Sequence, residues 1–348
     1  MGFLKVLVYI LAFVAVLFAV FLLYFSLTDY QPSEREVLAQ KEAPDRIEKD
    51  TLSLLIWNIG YAGLGDDMSF FYDGGSRVRT TRERVDQNLQ GISQHLRQYR
   101  DVDFFLFQEV DVASKRSYHT DQFRSLHESL GEYHGYFALN YQVQFIPIPP
   151  GSPMGKVTSG LATFSSYLPG QVVRHDLPGR YGWPKRLFML DRCFMVSRYP
   201  LNRGKDLIVV NTHNSAYDQG TLKKKEMEHL RQYLLEAYQQ GHYLIAGGDW
   251  NQFPPGIREQ NGLAPELDLS RTTTIAEDFM PAGWEWVYDG GTPTNRALDK
   301  PYDKSSRSAA VIDYYLVSPN IEALEVQTHS LDFRYADHQP VLGRFLLK

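Results

Sequence analysis

Hydrophobic and polar positions divide this chain into three kinds of material. From Val6 to Leu27 it reads VLVYILAFVAVLFAVFLLYFSL, apolar throughout and free of charge. About 20 such residues cross the core of a bilayer as a helix, so residues 1–28 are expected to form one transmembrane signal-anchor helix. A cleaved signal peptide fits less well, because its apolar core runs to about 7 to 15 residues and ends at small side chains. Lys5 and the amino terminus precede the run, while Asp29 and Glu34 follow it. The positive-inside rule then puts the N-terminus in the cytoplasm and the remainder in the periplasm or outside the cell. Residues 29–50, which include QPSEREVLAQKEAPDRIEKD, are polar, charged and interrupted by proline, the pattern of a tether.

Beyond the tether, residues 51–348 alternate between strand and helix patterns. Leu52–Ile56 is a short apolar run that breaks at Trp57-Asn58-Ile59-Gly60 and predicts a buried strand. Thr80 with Glu83 has the spacing of a capping box, and Val85, Leu89, Ile92 and Leu96 then mark one face of a helix. Apolar runs at 103–107, 193–196, 207–210, 243–246 and 311–317 read as further strands, as does Ser159–Ser165. A second helix is predicted from Thr221 to about Gln240, with Leu222, Met227, Leu230 and Leu234 on one side and Gly241 as its stop. No internal repeat of fixed period is present, and the mixture points to an α/β or α+β sandwich.

Composition changes this picture little. A chain of 348 residues can bury a full core as one large domain or two small ones. The formal net charge of −5, without a long basic run, argues against a scaffold for nucleic acid but leaves a nuclease open. The single cysteine, Cys193, forbids an intrachain disulfide and reads as a small core thiol.

Chemistry-bearing residues gather where the apolar runs end. Glu109, His213, Asp249, Asn251, Asp313, Asp337 and His338 each follow or interrupt such a run, which places them at the rim of a sheet. Each also has a plain structural reading. Glu109 suits a surface strand end, His213 a satisfied rim histidine, and Asp249 and Asn251 the turn that Gly247 and Gly248 begin. Together they are harder to assign to turns and surfaces alone.

The ordered motifs WNIG at Asn58, QEV at Glu109, NTH at His213, GGDWN at Asp249 and Asn251, IDYYLVS at Asp313, and ADHQPV at Asp337 and His338 resemble the endonuclease/exonuclease/phosphatase superfamily. Their order, from about Leu52 to Val341, makes the resemblance specific, and NTH at Asn211 to His213 looks like the deoxyribonuclease and neutral sphingomyelinase branches. It implies a four-layer α/β/β/α sandwich with two mixed sheets and the site at one edge of them.

The resemblance also implies roles. Glu109, Asn58 and Asp337 would hold Mg²⁺, with Mn²⁺ as the alternative, because a hard cation takes carboxylate and amide oxygens; Asp337 would do so directly or through water, or else fix His338. His213 and His338 would clamp the phosphate oxygens, with Asp313 orienting His338. Asp249 would hold or deprotonate the attacking water, and Asn251 would donate to the transition state. Gly60 stands where abasic-site enzymes of the family carry an acidic residue, which weakens that branch. Arg77, Arg79, Arg82 and Arg84 read as a solvated basic face, or else as a grip on an anionic head group. Segment 69–72 is aromatic and 179–186 mixes aromatic and basic residues, the pattern of interfacial loops or of loops packed over a substrate.

These observations imply a membrane-anchored, Mg²⁺-dependent phosphoric ester hydrolase, a phosphodiesterase ahead of a phosphatase. A lipid head group is the favoured substrate over nucleic acid, and no obligate protein partner is evident. An extracytoplasmic nuclease of the same fold is the first alternative. A catalytically silent binding domain is the second, and a serine hydrolase lacks a G-x-S-x-G elbow.

Overall fold

The computed structural model describes residues 2–216, 221–260, 262–305 and 308–348. It opens with helix α1 (Gly2–Thr28), followed by strands β1 (Arg35–Gln40) and β2 (Thr51–Asn58). Helix α2 (Arg82–Leu96), β3 (Phe104–Asp111), α3 (Gln122–Leu130), β4 (His134–Ile146), β5 (Gly155–Ser165), β6 (Gln171–Asp176) and β7 (Cys193–Pro200) come next. The second half holds β8 (Asp206–His213), α4 (Thr221–Gln239), β9 (Tyr243–Asp249), β10 (Glu285–Val287), β11 (Asn295–Arg296), β12 (Ala309–Ala310), β13 (Asp313–Val317), β14 (Ile321–Thr328) and β15 (Val341–Leu347).

Period-two alternation builds the layers. In β2, Leu54 and Ile56 point inward to meet Leu207, Val209, Ile245 and Tyr315, whereas Leu55 and Trp57 point outward onto Val85, Leu89 and Ile92 of α2. Val196, Ile208 and Val210 likewise carry Met227, Leu230 and Leu234 of α4 on the other flank. The result is the four-layer α/β/β/α sandwich. One sheet has the order β14-β15-β2-β3-β5-β4, the other β1-β6-β7-β8-β9-β13-β10, and β11-β12 form a small ribbon. Both large sheets are mixed: β2 with β3 and β8 with β9 run parallel, each pair joined through a helix, and the other pairings in these sheets are antiparallel. The four parallel strands therefore end at one edge of the sandwich.

A buried polar link joins the sheets close to that edge. Asn211 of β8 donates from Nδ2 to the carbonyls of Phe107 (3.2 Å) and Ala162 (3.0 Å) in the opposite sheet, and accepts from Gln108 Nε2 at 2.7 Å. Low dielectric makes such satisfied contacts strong and their loss costly.

Three local expectations change. The cap of α2 is Thr81, whose side chain accepts from the Arg84 amide, while Thr80 Oγ1 turns to Asp67 Oδ2 instead. Val311 and Ile312 precede β13 rather than belonging to it. Residues 29–50 are not a free tether, because β1 pairs antiparallel with β6 and Ile47 is buried against Leu201. The leucine and alanine of EVLAQ are half-buried and lean on the Ala138–Leu161 cluster, which gives the segment a reason to dock. Helix α1 is long and apolar enough to cross a membrane, and its most apolar window has no burial within the molecule.

Replacing Asn211 with leucine is expected to lower stability by about 2 kcal/mol or more, since the Gln108 amide and two carbonyls lose their partner in the core. Chemical denaturation of the purified protein measures it, and a midpoint equal to wild type would contradict the linking role.

Candidate active site

Strand ends deliver the side chains. Asn58 closes β2, His213 closes β8, Asp249 closes β9, and Asp313 opens β13 directly opposite Asp249 in the antiparallel register. Glu109 sits where β3 bulges against β5, with φ at 53°. Such a bulge re-aims a side chain out of the ladder, and left-handed backbone at a non-glycine residue marks a position held by its surroundings. Asn251 has the same character, with φ at 52°. Asp337 and His338 lie on the segment before β15, which the Asn295–His338 bridge and the bond from Gln339 N to Thr294 O pin in place. The Trp57 indole also donates to the His338 carbonyl at 3.0 Å.

Two glycines precede Asp249 for steric reasons. A Cβ on Gly248 would stand 2.0 Å from the Thr212 carbonyl oxygen, and φ there is 149°. One on Gly247 would press on Tyr315 and Ile56 at 2.8–2.9 Å. Strand β9 thus fits closely between β8 and the facing sheet, and the next residue emerges at the edge.

The predicted residues converge. Asp249 Oδ2 is 3.0 Å from Asn58 Nδ2, 3.4 Å from His213 Nε2 and 3.8 Å from His338 Nε2. Its Oδ1 accepts from the Asn251 amide at 2.9 Å. Glu109 Oε1 is 3.5 Å from Asn58 Nδ2 and 4.0 Å from His213 Nε2. His338 Nδ1 bonds Asp313 Oδ2 at 2.8 Å, and its Nε2 lies 3.9 Å from Asp337 Oδ2. Asn251 Nδ2 donates to the Asn214 carbonyl at 2.9 Å, and the Asn251 carbonyl accepts from Lys223 Nζ at 3.0 Å. One expectation is displaced: the Asn58 oxygen does not point into the site but accepts from the Gly60 amide at 3.0 Å, so Asn58 faces the carboxylates with its NH₂.

Asp337 accounts for Gly60. A Cβ at Gly60 would fall 2.6 Å from Asp337 Oδ1, with φ at 49°. The carboxylate from the C-terminal segment fills the room that a side chain at position 60 would take.

Burial sets the charges. Asp249 is pushed up to about 6 by burial and by Asp313, against the pull of His338 and the Asn58 and Asn251 bonds. Asp337 is pushed up to about 7 by burial and by Glu109, against His338 and Arg296. Burial works against a charge on His338 too, but Asp313, Asp337 and Asp249 together raise it to about 10. His213 falls well below the usual histidine range through burial, then through Arg192, His338 and Arg116, and is neutral.

Asp249, Asp313 and His338 offer ligand atoms within 4.8 Å of one another. Asp313 Oδ2 is bonded to His338, although Asp313 Oδ1 is left buried without a partner, and Glu109 with Asp337 is a second candidate corner for a cation. Asp337 Oδ1 is buried without a hydrogen-bond partner, and a second carboxylate lies close enough to raise its pKa. A divalent ion would answer both deficits, and carboxylate oxygens are donors that fit a hard cation.

Several contributors escaped sequence reading. Asn295 Nδ2 is 2.9 Å from His338 Nε2, Arg192 Nη1 reaches the His213 carbonyl at 3.4 Å, and buried Arg116 pairs with Asp111 while lying 3.7 Å over the Tyr61 ring. None ends an apolar run with a recognisable motif, so no signal pointed to them. Two of the four arginines around the start of α2 are consumed in pairing, Arg77 with Asp67 at 3.0 Å and Arg84 with Asp66 and Asp67, while Arg79 donates to the Pro153 carbonyl at 3.0 Å and exposed Arg82 lies 3.9 Å from Asp86.

The model of the Endonuclease/Exonuclease/phosphatase family matches residues 55–331. The chain belongs to that family. Solved structures similar in shape include the family protein of Beutenbergia cavernae DSM 12333, at TM-score 0.58 and 19% identity over 86% of this chain and 72% of that one. A Bacteroides vulgatus family protein gives TM-score 0.54 and 14% identity, covering 86% of this chain and 100% of its own. ANGEL2, a 2′,3′-cyclic phosphatase solved with adenosine-2′,3′-vanadate, gives 0.52 and 16%, covering 89% and 99%. At such identities the likeness is one of fold. No curated protein matches the chain significantly. The family is one of phosphoric ester hydrolases, nucleases and phosphatases among them.

The raised His338 pKa carries a sign. Its contribution to stability is fully present below the unfolded value of about 6.5 and is lost as pH rises through the folded value of about 10. Metal-free protein is therefore expected to lose up to a few kcal/mol between these limits. Asp313→Asn should flatten that decline; denaturation midpoints across the pH range test it, and parallel curves would refute the pairing.

Proposed function

We propose that the chain is a Mg²⁺-dependent phosphodiesterase that cleaves by in-line attack of water and is held to a membrane by α1. The observation that carries the reading is the meeting of Glu109, Asp249, Asp313, Asp337, His213 and His338 at one sheet edge. A phosphate ester repels nucleophiles, so hydrolysis calls for positive charge on its oxygens and for a held water with a base beside it.

In this reading Glu109 and Asp337 hold the cation, Mg²⁺ or Mn²⁺. Bound there, it would supply Lewis-acid polarisation of a phosphoryl oxygen. Asp249, ionised above about pH 6, orients the attacking water and accepts its proton. Asn251, fixed by Asn214 and Lys223, keeps Asp249 aimed through its backbone amide and donates the second hydrogen of its Nδ2 to the transition state. Asn58 ties Asp249 to Glu109 through its amide nitrogen. His338, with Nδ1 held by Asp313, is the cationic donor in this reading: its Nε2 would exchange the Asn295 side-chain amide, which must offer it the amide oxygen, for a phosphoryl oxygen. His213 is neutral, and its Nε2 faces two carboxylates, so the proton resides there and donates.

Residues 1–28 act as a single-pass anchor with a cytoplasmic N-terminus, residues 29–50 as a strap, and residues 51–348 as an extracytoplasmic catalytic head. Protease added to intact cells should remove the head; digestion only after lysis would reverse that orientation.

Asp249→Ala is expected to lower turnover of a generic phosphodiester about a thousandfold. Chelator should do the same. Mg²⁺ should raise the unfolding temperature of wild type and of Asp249→Ala, but not of a Glu109→Gln/Asp337→Asn double variant. Undiminished hydrolysis in chelator would defeat the metal-dependent mechanism, and a panel of sphingomyelin, phosphoinositides, DNA and small esters would separate a nuclease from a lipid-directed enzyme.

A further inference from the structure

The loops around the site and the end of α1 occupy the same side of the molecule. Strand β7 begins, and β6 ends, beside the His213 end of β8, so the connection between them, residues 177–192, lies at the catalytic edge. The β4–β5 turn lies there too, since β5 starts beside Asp111. The chain after β2 completes the rim. One apolar cluster unites all three: Met68, Phe70 and Phe71 from the first, Ile146 and Met154 from the hairpin, and Phe188 from the last.

Helix α1 joins that cluster. The Phe25 and Phe21 rings lie 5.3 and 6.1 Å from the Phe188 ring. Trp183 Nε1 donates to Ser26 Oγ at 3.1 Å, and Arg186 pairs with Asp29 at 3.8 Å. Ser26 and Phe21 both belong to the uncharged run that ends at Leu27. At about 1.5 Å of rise per residue, Phe21 stands roughly 9 Å inside that end. If the run spans the bilayer, Trp183 and Phe188 are at the depth of the head groups, where tryptophan is favoured.

Exposure follows the same geometry. Outside α1, the exposed large apolar side chains among the described residues are Val37, Tyr72, Ile148, Trp183 and Leu324. Tyr72 (46%), Ile148 (50%) and Trp183 (58%) stand on the three rim loops. Lys185 covers the Tyr181 ring at 3.8 Å beside Trp183 and supplies a cation to the same surface.

We propose that the rim formed by Tyr72, Ile148 and Trp183 is a bilayer-docking face, seated on the membrane that α1 crosses, so that the catalytic edge opens toward lipid head groups. The occupant is the lipid surface because the rim is continuous with the membrane-spanning helix and shares its depth. Resting on the phosphodiesterase reading above, this makes the substrate a phosphate ester carried in the bilayer.

The test uses the full chain in phosphatidylcholine–phosphatidylglycerol vesicles. Buried Cys193 is left in place, and an environment-sensitive fluorophore is attached at Ile148→Cys or, as control, at Asn202→Cys in the β7–β8 turn at the opposite end of the sheet. A nitroxide carried on the lipid chains should quench the label at 148 at least threefold more than the label at 202. Equal quenching overturns the proposal, as does a label at 148 shielded from water but not quenched by lipid, which would mark a protein partner or a second copy of this chain. This readout needs no turnover, so quenching without hydrolysis of any phosphate ester would sink the enzyme reading alone. Ile148→Glu should lower turnover of a vesicle-borne diester about tenfold relative to a water-soluble one; an unchanged ratio overturns the assignment of a bilayer-borne substrate.

Discussion

Everything at the catalytic edge depends on two sheets being held face to face in one fixed register. The inner faces are apolar and slide-tolerant on their own, since Leu, Ile and Val contacts are non-directional. Asn211 removes that freedom by bonding across the gap to the backbone of β3 and β5. It stands two residues before His213 and opposite Gly247, so the same link that joins the layers sets the distance between groups from separate sheets. Glu109 and Asn58 come from one sheet, His213, Asp249 and Asp313 from the other. A shift of about an ångström between layers would separate them.

A second constraint is electrostatic. Four buried or half-buried carboxylates share a small space with two histidines, and the protein compensates only part of that charge with its own groups. Asp313 Oδ2 is taken by His338, but Asp313 Oδ1 and Asp337 Oδ1 both remain buried without a partner. Burial of an incompletely matched charge is costly to the fold, and it is a common signature of a site built around something that binds.

Much of this was legible in the sequence, and the physical reason is periodicity. Strand cores such as Leu52–Ile56 and 207–210 are short apolar runs, and whatever polar residue ends them lands at a sheet edge, so Asn58, His213 and Asp249 were readable. Backbone exceptions were not. The bulge that turns Glu109, the oxygen of Asn58 taken by Gly60, and the filling of the space above Gly60 by Asp337 all arise from contacts distant along the chain. The shift of the α2 cap from Thr80 to Thr81 belongs to the same class, because Asp67 competes for the Thr80 hydroxyl. The strand within residues 29–50 was hidden for a different reason: REVLAQ is too polar for a core strand, and an edge strand needs only one apolar side.

That edge strand has a mechanical consequence. Only residues 29–34 separate the end of α1 from the start of β1. Fully stretched, they reach no more than about 20 Å. Were α1 embedded as proposed, encounters would become a search within a plane, at a tempo set by lateral drift and by how densely targets populated the surrounding leaflet.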